Sequence, residues 1–187
     1  MDFKTLLTNR RAIRNFLDRE VPLSVVEEII EDTRLAPSAS NNQPCRFIII
    51  RNRERIKKLS DESKRNLLAD LARNPGLPLK QYETTLRNEQ FNVFYNAPCL
   101  VYVVGPRDLF SLEVDCGLMV AYFMFSAVSR GLGTCWIGLG ANIRDRAILT
   151  EIGIPDDCRI VAPVILGYPA RIPSASDRRS PEIVRVI

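Results

Sequence analysis

Gly131-Leu132-Gly133-Thr134-Cys135-Trp136-Ile137-Gly138-Leu139-Gly140 contains the chain's one tryptophan and alternates glycine with bulky apolar residues. It follows a long apolar segment, residues 113 to 130, that reads as a helix buried nearly all round. A glycine backbone can come close to a flat ligand because no Cβ intervenes, and Trp136 offers an aromatic wall beside it. A planar cofactor held by main-chain N–H groups suits this composition. Taken alone, the stretch suits a tight helix-to-strand turn packed in a core better, so the rest of the chain has to decide.

Downstream, residues 143 to 152 read as a short helix, Pro155-Asp156-Asp157 as a turn, and 160 to 166 as a strand closed by Gly167-Tyr168-Pro169. Pro163 inside that strand predicts an edge or irregular position, because proline has no N–H to give a ladder. The sequence ends on Ile183-Val184-Arg185-Val186-Ile187, an alternating strand that needs a sheet to join, in its own subunit or another.

Upstream, 99 to 104 and 47 to 50 read as buried strands. Between them a charged helix is expected from 53 to about 73, with Ile56, Leu59, Leu67, Leu68 and Leu71 as its apolar positions. Asn74-Pro75-Gly76-Leu77-Pro78 breaks it, and 81 to 95 read as a weakly patterned helix. Nearer the start, Ser24 and Glu27 have capping-box spacing. Val26, Ile29, Ile30 and Thr33 give a helical stripe stopped by Pro37. Phe3, Leu6 and Leu7 mark a first helix ending around Asn9.

The chain's 187 residues fit one domain, and 46% hydrophobic with 26% charged residues is ordinary for a soluble globular protein. The apolar run from 117 to 128 is too short, and too near Glu113 and Asp115, to predict a bilayer span. Met1-Asp2-Phe3-Lys4 lacks the pattern of a signal peptide. Five cysteines, at 45, 99, 116, 135 and 158, form no C-x-x-C, so reduced thiols in a cytoplasmic protein without a metal site are expected. Histidine is absent, which removes Ser-His-Asp and Cys-His mechanisms and the commonest general base near neutral pH. Chemistry here must rest on arginines, backbone amides and a cofactor.

The net charge of +4 is unevenly spread. Arg10, Arg11 and Arg14 cluster near one end of the chain; Arg171, Arg178, Arg179 and Arg185 cluster near the other. In an extended segment Arg10 and Arg14 share a face, with Ala12 leaving room between them for a phosphate or a polar ring edge. A solvated basic segment is the alternative. No nucleic-acid motif or interleaved aromatics accompany the charge, so no nucleic-acid partner is expected. Pro37-Ser38-Ala39-Ser40-Asn41-Asn42-Gln43-Pro44 is a polar loop that either contacts a polar ligand edge or simply connects two elements. The glycines at 131, 133 and 138 miss G-x-G-x-x-G spacing and follow a helix, against a dinucleotide-binding turn.

Four landmarks in this order resemble the flavin-dependent nitroreductase family. They are Arg10-Arg11-Ala12-Ile13-Arg14-Asn15-Phe16, Ala36-Pro37-Ser38-Ala39-Ser40-Asn41-Asn42-Gln43-Pro44, Gly131-Leu132-Gly133-Thr134-Cys135-Trp136-Ile137-Gly138, and Gly167-Tyr168-Pro169. The resemblance implies an α+β fold, a three-layer α-β-α sandwich around a mainly antiparallel mixed sheet. It implies a single domain over 1–187 in an interlocked homodimer, with FMN at the subunit interface and 182–187 as a strand exchanged with the partner. By the same resemblance Arg10 holds the FMN phosphate and Arg14 faces the pyrimidine end of the flavin. Arg11 and Ala12 lie between them, Ala12 standing where the family often has serine. Pro37, Ser38, Ala39 and Asn41 approach the flavin from the other subunit. Trp136, Ile137 and Gly138 line one face, with the Gly138 N–H near N5. Arg179 matches a phosphate-binding arginine, but Asp177 stands where a lysine is expected, which leaves Arg178 as a substitute.

The implied function is hydride transfer from NADH or NADPH through FMN to a small acceptor such as a nitroaromatic, quinone or activated alkene. No protein side chain is needed as a catalytic acid. Alternatives within the fold are a dehalogenase, a desaturase, a flavin-fragmenting enzyme, or a non-catalytic FMN-binding protein.

Overall fold

In the computed structural model, which describes residues 2–187, four strands form one sheet in the order β1-β2-β4-β3, every neighbouring pair antiparallel. The strands are β1 (Arg46–Ile50), β2 (Cys99–Pro106), β3 (Gly133–Trp136) and β4 (Cys158–Gly167). The parallel component of the expected mixed sheet is a single isolated bridge, Ala12 to Thr134.

Helices cover both faces. On one lie α2 (Leu23–Thr33) and α5 (Leu112–Ser129), with α1 (Phe3–Asn9) against α5. On the other lie α3 (Arg53–Arg73), α4 (Glu83–Arg87) and α6 (Arg146–Glu151). Strand β2 shows why: Cys99, Val101 and Val103 face the first layer, while Leu100, Tyr102 and Val104 face the second. A strand buried on both sides reads as an unbroken apolar run, and 99–104 does. This is the three-layer α+β sandwich that the resemblance implies.

Some local expectations change. The Ser24–Glu27 capping box does not form, because α2 starts at Leu23 with Pro22 at its cap and no side-chain cap bond. Residues 78–95 are a 3-10 turn, the five-residue α4 and further turns rather than one helix. Strand β4 is interior, not an edge. Pro163 is tolerated there because its carbonyl, and with it the missing N–H, faces the β3 side where Ile137 has already left the strand; the Ile137 N–H donates to that carbonyl at 2.8 Å. Among the described residues, 183–187 form no strand: Ile183, Val184, Val186 and Ile187 are exposed.

Helix α5 is 18 residues long with a mean hydropathy of 1.4, enough by length and composition to cross a membrane. Here Leu112, Cys116, Met119, Val120, Phe123 and Ala127 pack it against the sheet instead. Its opposite side leaves Val114, Leu118 and Tyr122, one turn apart, exposed to solvent.

Candidate functional site

The glycine-rich stretch divides its glycines between structural and open positions. Gly131, at φ +73, ends α5: its N–H bonds the Val128 carbonyl and the Leu132 N–H bonds that of Ala127, the paired bonds of a Schellman cap. Gly133 sits where a Cβ would come within 2.5 Å of Ile13, and Gly140 where one would overlap the Phe94 ring. These three serve the fold. Gly138 is under neither constraint: its φ is not positive, and a Cβ there would meet nothing within 4 Å. It follows Trp136, which ends β3 and is 39% exposed, and Ile137, which is buried.

The segment after α1 runs beside β3. The Ile13 N–H donates to the Thr134 carbonyl at 2.9 Å, and the buried Ile13 side chain fills the space over Gly133. That turns Ala12, and with it Arg10 and Arg14, to the other side. Because the Ala12–Thr134 bridge is parallel, Arg14 and Trp136 each lie two residues beyond it. Both guanidiniums bear on the buried Cys135 thiol, offsetting part of the rise in its pKa that burial causes. Arg14 also stands over the Tyr95 ring, 5.7 Å from its centroid.

Arg10, Arg11, Ala12 and Arg14 border a cavity of about 660 Å³ that Pro173, Ser174, Ala175, Ser176 and Arg178 of the tail also line. That volume is typical of a small-molecule site. Among the described residues none of Arg10, Arg14 and Arg178 pairs with a carboxylate, whereas arginines elsewhere on the surface, such as Arg34, Arg51, Arg130 and Arg144, do. Arg11 differs from its neighbours. Its guanidinium donates to the Thr8 carbonyl and, at 3.0 Å, to that of Arg10, capping the end of α1. Its buried Nε has no partner among the described residues. Of the two C-terminal arginines, Arg178 lines the cavity and Arg179 does not.

Pro37, Ser38, Ala39 and Asn41 are not brought to these arginines. Pro37 and Ser38 line a separate cavity beside α2 and α5. The Ala39 N–H donates to the Asp115 carboxylate at 2.9 Å, and the Gln43 N–H to the Ser38 hydroxyl at 3.0 Å. Ser40, Asn41 and Gln43 all have φ near +50. Three non-glycine residues in left-handed geometry within four positions is strain of the kind that gathers at binding loops.

Sequence reasoning missed what holds the Gly138 turn. Helix α3 supplies it from its polar positions: Ser63 donates to the Leu139 carbonyl, Asn66 to the Asn142 carbonyl at 2.8 Å, and the buried Glu62 accepts from the Asp145 N–H at 3.2 Å. The same helix anchors the segment before β2. Lys64 donates to the Asn88 and Phe91 carbonyls at 2.8 and 2.9 Å, and Ser60 accepts from the Val93 N–H at 2.9 Å. The signal was present in the sequence as a gap: no apolar residue stands between Leu59 and Leu67, where a core-facing helix would repeat one every three or four positions.

Comparison with known proteins finds relatives over most of the chain. A chloronitrobenzene nitroreductase of Comamonas testosteroni is 27% identical over 194 residues, spanning 87% of this chain and 85% of its own. Iodotyrosine deiodinase 1 of Homo sapiens is 24% identical over 173 residues, 90% of this chain and 57% of its own. The fold is shared with an FMN-bound nitroreductase from Bacteroides fragilis at a TM-score of 0.82 and 22% identity, covering 100% of this chain and 99% of that one. The model of the nitroreductase family matches residues 7–168, taking in the arginine segment, the strained loop and the glycine-rich turn. By that match the chain belongs to the nitroreductase family.

Proposed function

We propose that this chain is an FMN-dependent oxidoreductase that works as a homodimer. The observation that carries the reading is the set of guanidiniums without a carboxylate partner among the described residues, Arg10, Arg14 and Arg178, drawn from both ends of the chain around one cavity. A phosphate carrying close to two negative charges suits such a set, since charge-assisted bonds to arginine are the strong kind. The open position at Gly138 is what the edge of a planar ligand would complete.

In this reading Arg10 and Arg178 hold the phosphate, and Arg14 places a cation at the pyrimidine end of the ring. Trp136 and Ile137 form a wall that keeps water from one face, and the Gly138 N–H is offered to the ring edge. The chemistry that FMN supplies when bound is hydride transfer, from NADH or NADPH in one half-reaction and to a nitroaromatic, quinone or activated alkene in the next. The chain's own part is to grip, orient and exclude solvent, which needs no histidine.

A second copy enters the reading because the loop of Pro37, Ser38, Ala39 and Asn41 lies apart from the arginine cavity of its own chain. The exposed stripe of Val114, Leu118 and Tyr122 supports a second copy packing along α5. The apolar tail residues Ile183, Val184, Val186 and Ile187 support an exchanged terminal strand. Truncation after Pro181 should therefore yield monomer or aggregate, and light scattering that reads a soluble dimer would contradict the exchange.

The catalytic reading is tested by steady NADH or NADPH oxidation with FMN-loaded protein. Turnover should depend on an added acceptor, with parallel double-reciprocal lines. Loaded protein that oxidises neither nucleotide would be an FMN-binding protein without this activity. Including halogenated phenols in the acceptor panel separates the dehalogenating alternative.

A further inference from the structure

Cys45, at the mouth of β1, and Cys116, in the first turns of α5, are 71 residues apart in sequence, yet their sulfurs lie 3.0 Å from one another. The pair is asymmetric. Cys45 is half-buried and lines the cavity of about 220 Å³ that also touches Pro37, Ser38, Asp115 and Met119; Cys116 is fully buried behind it. The remaining cysteines, 99, 135 and 158, are each buried in separate parts of the core.

We propose that Cys45 and Cys116 form an oxidation site in which Cys45 reacts with a hydroperoxide and Cys116 closes a reversible disulfide. In the first step the Cys45 sulfur attacks the peroxide. An S–O bond forms, the O–O bond breaks, and the departing oxygen leaves as water or an alcohol with the proton from Cys45. In the second step the Cys116 sulfur attacks the Cys45 sulfur. The S–S bond forms, the S–O bond breaks, and hydroxide leaves as water with the proton from Cys116. The two thiols are oxidised by two electrons and the peroxide is reduced by two.

The surroundings favour this order of events. The hydrogen bond between the two thiols holds Cys45 below the ordinary thiol pKa, against burial and the nearby Asp115 carboxylate. The same bond, with burial, Cys45 and Asp115, pushes Cys116 up, opposed by Arg159. The group that reaches solvent is thus the one more readily ionised, and the protonated partner is already aimed at its sulfur. Closing the bond needs roughly 1 Å of movement. It would tie the start of β1 to α5 next to Asp115, the carboxylate that holds the Ala39 N–H.

The thiol chemistry itself uses no flavin, so it is tested on the full chain with thiol readouts alone. Reduced protein is treated with stoichiometric hydrogen peroxide, then denatured in iodoacetamide and mapped by mass spectrometry. The expected result is loss of two titratable thiols, a Cys45–Cys116 cross-linked peptide, and recovery of both thiols on adding dithiothreitol. Cys116→Ser should stop at a sulfenic acid on Cys45 that dimedone traps, and Cys45→Ser should leave position 116 unmodified. Five free thiols after treatment, a cross-link between other cysteines, or irreversible oxidation of Cys45 in the wild-type chain would each overturn the assignment, whether or not the variants fold.

Discussion

The buried hydroxyl of Tyr102, in the middle of β2, donates a 3.0 Å hydrogen bond to the carbonyl of Gly140, at the end of the glycine-rich turn. Burial pushes the Tyr102 pKa far up, so the donor keeps its proton across any working pH. The bond ties the central strand of the sheet to the turn that presents Gly138. Tyr102→Phe should leave that carbonyl dry and unsatisfied by the ring, at a cost of about 1–3 kcal/mol. Chemical denaturation of the two proteins measures it; equal midpoints and slopes would show that the turn is held by α3 alone.

Gly138 and Gly140, two residues apart, should respond oppositely to the same change. At Gly140 an added methyl runs into the Phe94 ring, so Gly140→Ala should destabilise by about 1–3 kcal/mol through overpacking. At Gly138 the methyl enters open space, so Gly138→Ala should leave stability within about 0.5 kcal/mol of wild type. Its effect should appear as weaker FMN binding. Paired melts and FMN titrations separate the two, and a destabilised Gly138→Ala with normal FMN affinity would remove Gly138 from the site.

The arginines divide in the same way. Arg10→Ala and Arg178→Ala should each weaken FMN binding by about 1.5–3 kcal/mol, the worth of a hydrogen bond to a charged group, with little change in stability. Arg11→Ala should do the reverse, because its guanidinium is spent on the Thr8 and Arg10 carbonyls at the end of α1. Fluorescence titration with FMN beside a thermal melt reads both; an Arg178→Ala protein with unaltered affinity would shift the phosphate contact to Arg179.

Asp32 joins α2 to α5 by accepting from Ser126 and Arg130, each at 2.7 Å. Those bonds, the one from Ser126 first, hold its carboxyl below the ordinary value of 3.8. A folded-state pKa that is depressed contributes stability above the unfolded value, and that contribution fades as pH falls through the folded one. Asp32→Asn should therefore be less stable at neutral pH, by at most about 1 kcal/mol because the carboxylate is partly exposed. The gap should close below pH 3.8. A constant gap from neutral to acid pH would mean that the charge plays no part.

The separate strands and helices were legible because they repeat a simple rule, buried-on-both-faces runs such as 99–104 and a helix with Ile56, Leu59, Leu67 and Leu71 on one stripe, whereas their three-layer arrangement came from the family resemblance. Alternation along 10–14 likewise placed Arg10 and Arg14 together. What was not legible lay in polar contacts between distant segments. The apolar gap between Leu59 and Leu67 marks out Glu62, Ser63 and Asn66 but does not say that they hold residues 139–145, because a helix surface spends such groups on water just as readily. The jobs of Gly133 and Gly140 depended on Ile13 and Phe94, far away in sequence. Of the two positions that Pro163 suggested, an edge or an irregular one, the second holds, because β3 ends beside it, and choosing between them needed the strand order.

The central claim is that arginines from both ends of the chain grip one FMN. The most direct test is visible absorption and equilibrium titration of the purified protein with FMN, before and after adding NADH or NADPH. Flavin absorption bands that stay with the protein through gel filtration and bleach on adding the nucleotide are the predicted result. A protein that shows no flavin bands and takes up no added FMN would contradict the account.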